Sequence, residues 1–391
     1  MIWVLIGPLA PGIAAELWPR DSGVGLEEHL RQIAAWKGIL VSIPLLGGSI
    51  LRLVLGLMTD HFGSRLTGLI GMGLTALPLM LGWLWAETFA ELILVGTMLG
   101  VAGASFAAAL PLASRWYPPQ YQGLALGIAG AGNSGVALAT FFAPDLAVSL
   151  GWRSVFGLAL IPLAATFVAF LLLAKDSPSQ PAPQRLAAYG TVLGRGDAWW
   201  FCFFYGITFG GFVGLASFLT TFFKDQYFAT DVVAARVSLL VTACVIAGSF
   251  LRPVGGYLAD RFGGGRVLVQ LYAGVALVLM GVATLPPAFA AAALLAIGMG
   301  LLGMGNGAVF QLVPRRFPKE IGVLTGLVGA AGGLGGFFLP NVLGFLKGWT
   351  GSYGIGFAVL AAGAFSGAAG LWVLGWARAD EIAIEPAPAT N

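Results

Sequence analysis

Apolar stretches of about 20 residues succeed one another along nearly the whole chain, separated by short segments that hold almost all the Lys and Arg. This pattern predicts membrane-spanning helices, because a spanning segment must satisfy its backbone hydrogen bonds internally. The alternation of roughly ten-residue strands expected of a transmembrane β-barrel is not visible. Twelve spans are predicted, at 1–17, 38–59, 66–86, 89–113, 122–148, 152–174, 198–223, 234–259, 267–285, 288–313, 322–346 and 354–377. The first begins at Met1, is short, and contains Pro8 and Pro11. It lacks the basic start of a signal peptide and is read as a first helix whose beginning is trimmed or misassigned.

Composition agrees with this reading. Hydrophobic residues make up 58% of the 391 positions and charged residues 9%, against roughly 25% charged in soluble domains, and the mean hydropathy is +0.89. Charge then orients the chain. Loops after even-numbered spans, with the C-terminus, hold eleven basic residues, and the opposite loops hold seven. The seven are Arg20, Arg31, Lys37, Arg153, Lys224, Arg236 and Lys347. The positive-inside rule therefore predicts cytoplasmic N- and C-termini in a cell inner (plasma) membrane. The net charge of +3 reflects this topology and implies no nucleic-acid partner.

The chain also repeats itself. LRLVLGLMTDHFGSR (51–65) returns as LRPVGGYLADRFGGGR (251–266), matching Arg52 to Arg252 and Asp60 to Asp260. RWYPPQYQGLALGIAGAG (115–132) returns as RRFPKEIGVLTGLVGAAG (315–332). The expected fold is an all-α membrane protein, with an N-terminal six-helix bundle at 1–174 and a C-terminal bundle with a short polar tail at 198–391. A cytoplasmic linker at 175–197 joins them, its start KDSPSQPAPQR polar and proline-containing. GLMTDHFGSR and GYLADRFGGGR resemble the loop motif of the major facilitator superfamily, which implies gating roles for Asp60, Arg65, Asp260 and Arg261 and a functional monomer.

Two of the twenty basic residues, Arg52 and Arg252, fall inside predicted helices. Arg52 lies eight residues before Asp60, about 12 Å into its helix. A midplane arginine costs about 2.5–3.5 kcal/mol on insertion scales, so two facing one cavity call for an anion between them. Gly48 and Gly56 lie one turn either side of Arg52, as Gly248 and Gly256 do around Arg252, so each guanidinium is expected to emerge from a face free of bulk.

GIAGAGNSGVA (127–137) carries Gly127, Gly130, Gly132 and Gly135 around Asn133, and GLVGAAGGLGGFF (326–338) carries Gly326, Gly329, Gly332 and Gly333. With GNGAVFQLVP (305–314) and the two arginines, these segments resemble the nitrate/nitrite porter family of that superfamily. The resemblance implies that Arg52 and Arg252 grip the anion, that Asn133 adds an amide donor, and that the glycine helices slide past their neighbours. It also places Tyr205 and Phe209, four residues apart in FYGITFGGF, at the substrate, with Phe106 as a further wall. No equivalent aromatic is assigned on the first span.

Nitrate is small and planar, and a guanidinium fork offers it two parallel hydrogen bonds that Lys cannot; nitrite differs little. The function expected is transport of nitrate and nitrite by alternating access, with one exchanged for the other. Mid-span positions lack a clear Asp, Glu or His as proton carrier, although proton-coupled nitrate symport through a peripheral carboxylate such as Asp145 stays open. A facilitator of formate or oxalate is a second alternative, and a sensor that signals without transport a third, which the short loops disfavour. No Walker lysine, no His or Cys cluster with metal-ligand spacing and no nucleophile beside a base is present, so neither enzyme nor cofactor is expected.

Overall fold

The computed structural model describes residues 1–21, 23–117, 122–177, 186–228, 234–316 and 321–376. Most of the linker's proline-rich start, 178–185, and the tail from 377 lie outside the described residues. The N-terminal half holds α1 (Ile6–Leu17), α2 (Leu26–Phe62), α3 (Ser64–Leu84), α4 (Phe89–Ala104), α5 (Phe106–Ser114), α6 (Gln122–Gly130), α7 (Gly135–Leu150) and α8 (Trp152–Leu173). A short linker helix, α9 (Leu186–Leu193), precedes the C-terminal half. That half comprises α10 (Gly196–Tyr227), α11 (Ala234–Phe250), α12 (Arg252–Phe262), α13 (Gly264–Ala283), α14 (Ala288–Arg316), α15 (Ile321–Thr350) and α16 (Gly354–Val373).

Ten helical segments among the described residues are long and apolar enough to cross a membrane, taking α4 with α5 and α11 with α12 as single spans. The fifth span is divided by a 3-10 turn at Ala131–Ser134 between α6 and α7. The first is α1, a twelve-residue helix preceded by a 3-10 turn at Ile2–Val4. Together these make twelve spans in two similar halves, and the chain is a multi-pass membrane protein.

The helices correct the sequence reading in two ways. First, they outrun the hydrocarbon: α2 begins at Leu26 rather than near 38, and α10 runs to Tyr227. Arg31, Lys37, Lys224, Arg236 and Lys347 therefore stand on helices and not in loops. Hydropathy marks only the lipid-facing part of a helix, whereas the backbone ladder continues; Glu27 and Glu28 in the first turn of α2 also complement its helix dipole. Second, three spans expected to be continuous are interrupted. Pro253 enters the first turn of α12, and without an N–H it cannot close the ladder from α11. The glycines of 127–135 loosen the fifth span. The fourth breaks at Ser105, next to Gly103, whose carbonyl accepts a bond from Arg52.

The halves meet through α2 against α15, α1 against α10, α7 against α11 and α6 against α12. These seams rely on bare backbone. A Cβ on Gly335 would lie 2.2 Å from the Gly206 carbonyl oxygen within the C-terminal half, and one on Gly7 2.2 Å from that of Ser217 across the halves. At the end away from the Asp60 and Asp260 motifs the halves are tied by polar bonds. Lys37 Nζ lies 2.8 Å from Asp225 Oδ1 and Arg31 donates to the carbonyls of Gly348 and Trp349, while Tyr353, in the same half as Asp225, donates to its Oδ2 at 3.2 Å.

Candidate anion site

Arg52 on α2 and Arg252 at the start of α12 are both almost fully buried, at 3% and 2% exposure. Neither forms an ion pair with a carboxylate among the described residues. Arg52 Nε donates to the Gly103 carbonyl at 3.2 Å and its Nη1 donates to the Gly329 carbonyl, while Nη2 has no partner. Arg252 is less engaged. Its Nη2 reaches the Tyr205 hydroxyl at 3.4 Å, and Nε and Nη1 are buried without partners. An unsatisfied buried polar group costs about 1–3 kcal/mol and more when charged, so three free guanidinium positions in one region are a standing demand for an acceptor.

Aromatic rings join the two arginines. Tyr205 and Phe209 stack with centroids 5.1 Å apart and planes within 4°. Tyr205 meets Arg252 at its hydroxyl, and Phe209 lies 4.9 Å from the Arg52 guanidinium. Phe106, half-buried, stands 5.8 Å from the same guanidinium and 6.4 Å from Phe209. Such faces offset part of the cost of a buried cation. The three aromatics named from the sequence thus gather around the arginines, as the shared helix face of Tyr205 and Phe209 predicts.

Asn133 is buried in the 3-10 turn that divides the fifth span, and that turn packs on α11 just before Arg252. The glycines separate into distinct roles. Gly130 lies against Arg252, where a Cβ would come within 2.3 Å of Nε. Gly329 contributes the carbonyl to Arg52, Gly332 lies under the Tyr205 ring, and Gly333 meets Ser49. Gly127 abuts Pro253, whereas Gly132 has nothing near it and Gly135 has only ordinary contact with Met1. Gly326 is half-buried on α15.

The expectation that glycines one turn away clear a path to each arginine holds for Gly56 alone, which faces open space. Gly48 is filled by Trp3 and Gly100, Gly248 by Phe212 and the Met299 carbonyl, and Gly256 lies against Gly307. These glycines serve close helix contact.

The loop motifs lie away from the arginines. Asp60 accepts from Arg115 Nη2 at 3.3 Å, the Arg65 backbone N–H donates to Asp176 Oδ1 at 3.0 Å, and the Arg65 side chain donates to the Leu171 carbonyl. In the second half, Arg261 approaches the Tyr257 hydroxyl at 3.5 Å, and Asp260 is exposed.

The sequence reading missed Trp3, whose ring lies 5.3 Å from the Arg52 guanidinium and stacks on Phe209 at 6.2 Å. It is the first-span aromatic that could not be assigned, seated in a notch left by Gly48 and Gly103. Also missed were Phe310, edge-on to Tyr205 at 4.8 Å, and the buried Asn306, whose Oδ1 has no partner. Both stand in the GNGAVFQLVP segment, whose polar residue within an apolar run was the available signal.

Comparison with known proteins agrees with this architecture. Residues 1–340 match the model of the Major Facilitator Superfamily. The chain is 36% identical over 354 residues to the "Probable nitrate/nitrite transporter NarK2" of Mycobacterium tuberculosis, covering 88% of this chain and 84% of that relative. It is 34% identical over 364 residues to the "Nitrite extrusion protein" of Bacillus subtilis, covering 92% and 87%. With the "Probable nitrate/nitrite antiporter NarK1" of Thermus thermophilus it shares 32% identity over 357 residues, covering 82% and 78%. Among solved structures it is similar in fold to the xylose transporter XylE of E. coli in a partially occluded inward-open conformation. There the TM-score is 0.68 at 15% identity, over 100% of this chain and 95% of that one.

Proposed function

Because the chain belongs to the nitrate/nitrite porter family of the Major Facilitator Superfamily, we propose that it exchanges nitrate for nitrite across the membrane by alternating access, holding the anion between Arg52 and Arg252. It is a transporter and not an enzyme. The observation that carries this reading is the set of unpartnered donors, Arg52 Nη2 with Arg252 Nε and Nη1, buried beside the Tyr205 and Phe209 rings with no carboxylate among the described residues to neutralise them. A planar oxyanion supplies acceptors and a negative charge together, and the rings wall its faces. Names of relatives that include nitrite extrusion and nitrate/nitrite transport support the same cargo.

Residues 1–174 and 198–391 rock as two bodies about this site, joined by the linker 175–197. The basic bias places the Asp60 and Asp260 motifs at the cytoplasmic face of the inner membrane, with both termini there and one chain sufficing. The end tied by Lys37 and Asp225 then faces outside and is the closed one. An empty pocket leaves two like charges uncompensated, which resists the closure that an occupied pocket permits; this favours obligatory exchange over net flux.

Uptake of labelled nitrate into liposomes preloaded with nitrite tests the reading. Arg52→Lys and Arg252→Lys each lower exchange by roughly a hundredfold, since Lys keeps the charge but loses the planar fork. Parent-like rates in both variants would sink the two-arginine grip. Uptake driven by a pH gradient into vesicles lacking internal anion would sink exchange, and stronger competition by formate or oxalate than by nitrite would reassign the cargo.

A further inference from the structure

Hydroxyls inside membrane helices ordinarily bond back to a carbonyl one turn earlier, and Ser42, Ser49, Thr59, Thr75, Thr97, Thr166 and Ser217 all do so here. Ser249 does not. It is 1% exposed and its Oγ has no partner. Its counterpart in the other half, two hundred positions earlier, is Ser49, which donates to the Leu45 carbonyl at 2.9 Å. The two serines stand at the same place relative to their arginines, three residues before Arg52 and Arg252, and so share the arginine's helix face. One is satisfied within its helix, and the other is not.

The packing of the fifth span on α11 and α12 sets the level at which Ser249 stands. Thr140 and Thr242 meet hydroxyl to hydroxyl at 3.0 Å, Gly130 lies against Arg252, and Gly127 lies against Pro253. Reading between these contacts, Ser249 stands level with Asn133, whose 3-10 turn packs on α11. The two arginines are also unequal. Arg52 spends two of its nitrogens on the Gly103 and Gly329 carbonyls, whereas Arg252 keeps Nε and Nη1 free.

We propose that Ser249 is a further anion ligand, its hydroxyl joining the Arg252 guanidinium and the Asn133 amide in one donor pocket opposite Arg52. This rests on the exchange reading above and deepens it. A small inorganic oxyanion has an oxygen for each of these donors. The hydroxyl stays uncommitted because its acceptor is the cargo.

The experiment measures labelled nitrate uptake into nitrite-loaded liposomes for the parent, Ser249→Ala, Ser249→Gly, Ser249→Thr and Ser49→Ala. Loss of one hydrogen bond to an anion raises the nitrate KM of Ser249→Ala and Ser249→Gly roughly tenfold, with maximal rates within about twofold of the parent. Ser249→Thr, which keeps a hydroxyl, restores KM to within about threefold. Ser49→Ala, whose hydroxyl is already used inside its helix, behaves as the parent. The glycine variant carries the test if the alanine variant does not fold. A parent-like KM in the hydroxyl-less variants, or a fall in maximal rate at unchanged KM, overturns the role of Ser249 and leaves exchange standing. Absence of nitrate uptake by the parent overturns exchange and this inference with it.

Discussion

Gly130 and Gly329 occupy matching places in the two repeats, and each lies against the arginine of the opposite half. Their demands differ. At Gly130 a methyl group would sit within 2.3 Å of Arg252 Nε and 2.4 Å of its Cζ, whereas at Gly329 the nearest atom of Arg52 would be 3.8 Å away and the carbonyl that accepts from Arg52 would survive. Gly130→Ala therefore displaces the guanidinium and is expected to lower the proposed nitrate/nitrite exchange by about 10²-fold, as misplacement of a binding group by about 1 Å does. Gly329→Ala stays within about threefold, since the added contact is of ordinary van der Waals length. Initial exchange rates in liposomes measure both, and equal loss in the two variants would contradict the geometry. The glycine-rich motif is thus partly a matter of room for a charged side chain, and nothing in the linear pattern says which glycine meets which arginine.

At the scale of elements, interruptions fall beside the proposed anion site. Phe106 opens α5 just after the break at Ser105, Asn133 lies in the 3-10 turn between α6 and α7, and Arg252 opens α12. Irregular backbone is tolerated at membrane depth where it is enclosed by protein or lines a cavity. Away from the site the helices depend on backbone contact. Gly335→Leu would drive a side chain into the Gly206 carbonyl, with 2.2 Å available to its Cβ, and part α10 from α15. Overpacking of this kind costs about 1–3 kcal/mol, so the variant unfolds at a lower temperature by intrinsic fluorescence. Gly56→Ala, with nothing within 4 Å of its Cβ, leaves the midpoint unchanged. Amphipathic ends are the other elemental lesson: the extra turns of α2 and α10 carry Lys37 and Asp225 toward each other, in stretches whose polarity read as loop.

For the whole molecule, the buried Lys37 and Asp225 pair is a charged tie between halves at the end away from the Asp60 and Asp260 motifs, with Tyr353 completing the carboxylate's bonds. Removing one partner leaves the other charge buried and unpaired, a loss of about 3–5 kcal/mol, while replacing both by apolar groups is far milder. Lys37→Met accordingly shifts the molecule toward the form in which this end opens and Asp225 reaches water. Spin-label distances between α2 and α15 at that end lengthen in Lys37→Met and return toward the parent in Lys37→Met/Asp225→Leu. Unchanged distances in the single variant would show that apolar packing of α2 on α15 holds the end by itself.

The sequence alone determined that the chain spans a membrane twelve times, that it is built from two related halves, and that two arginines lie deep in matching helices. The bilayer reads these properties segment by segment: apolar length, loop charge and the cost of a buried cation are local in the chain. Only the tertiary structure decided that Trp3 rests on Arg52, that each arginine meets the other half's glycine, that Lys37 pairs with Asp225, and that Ser249 keeps its hydroxyl free while Ser49 does not. Those facts depend on how far each helix is rotated and how it is registered against partners distant in the chain, which no local pattern of polarity encodes.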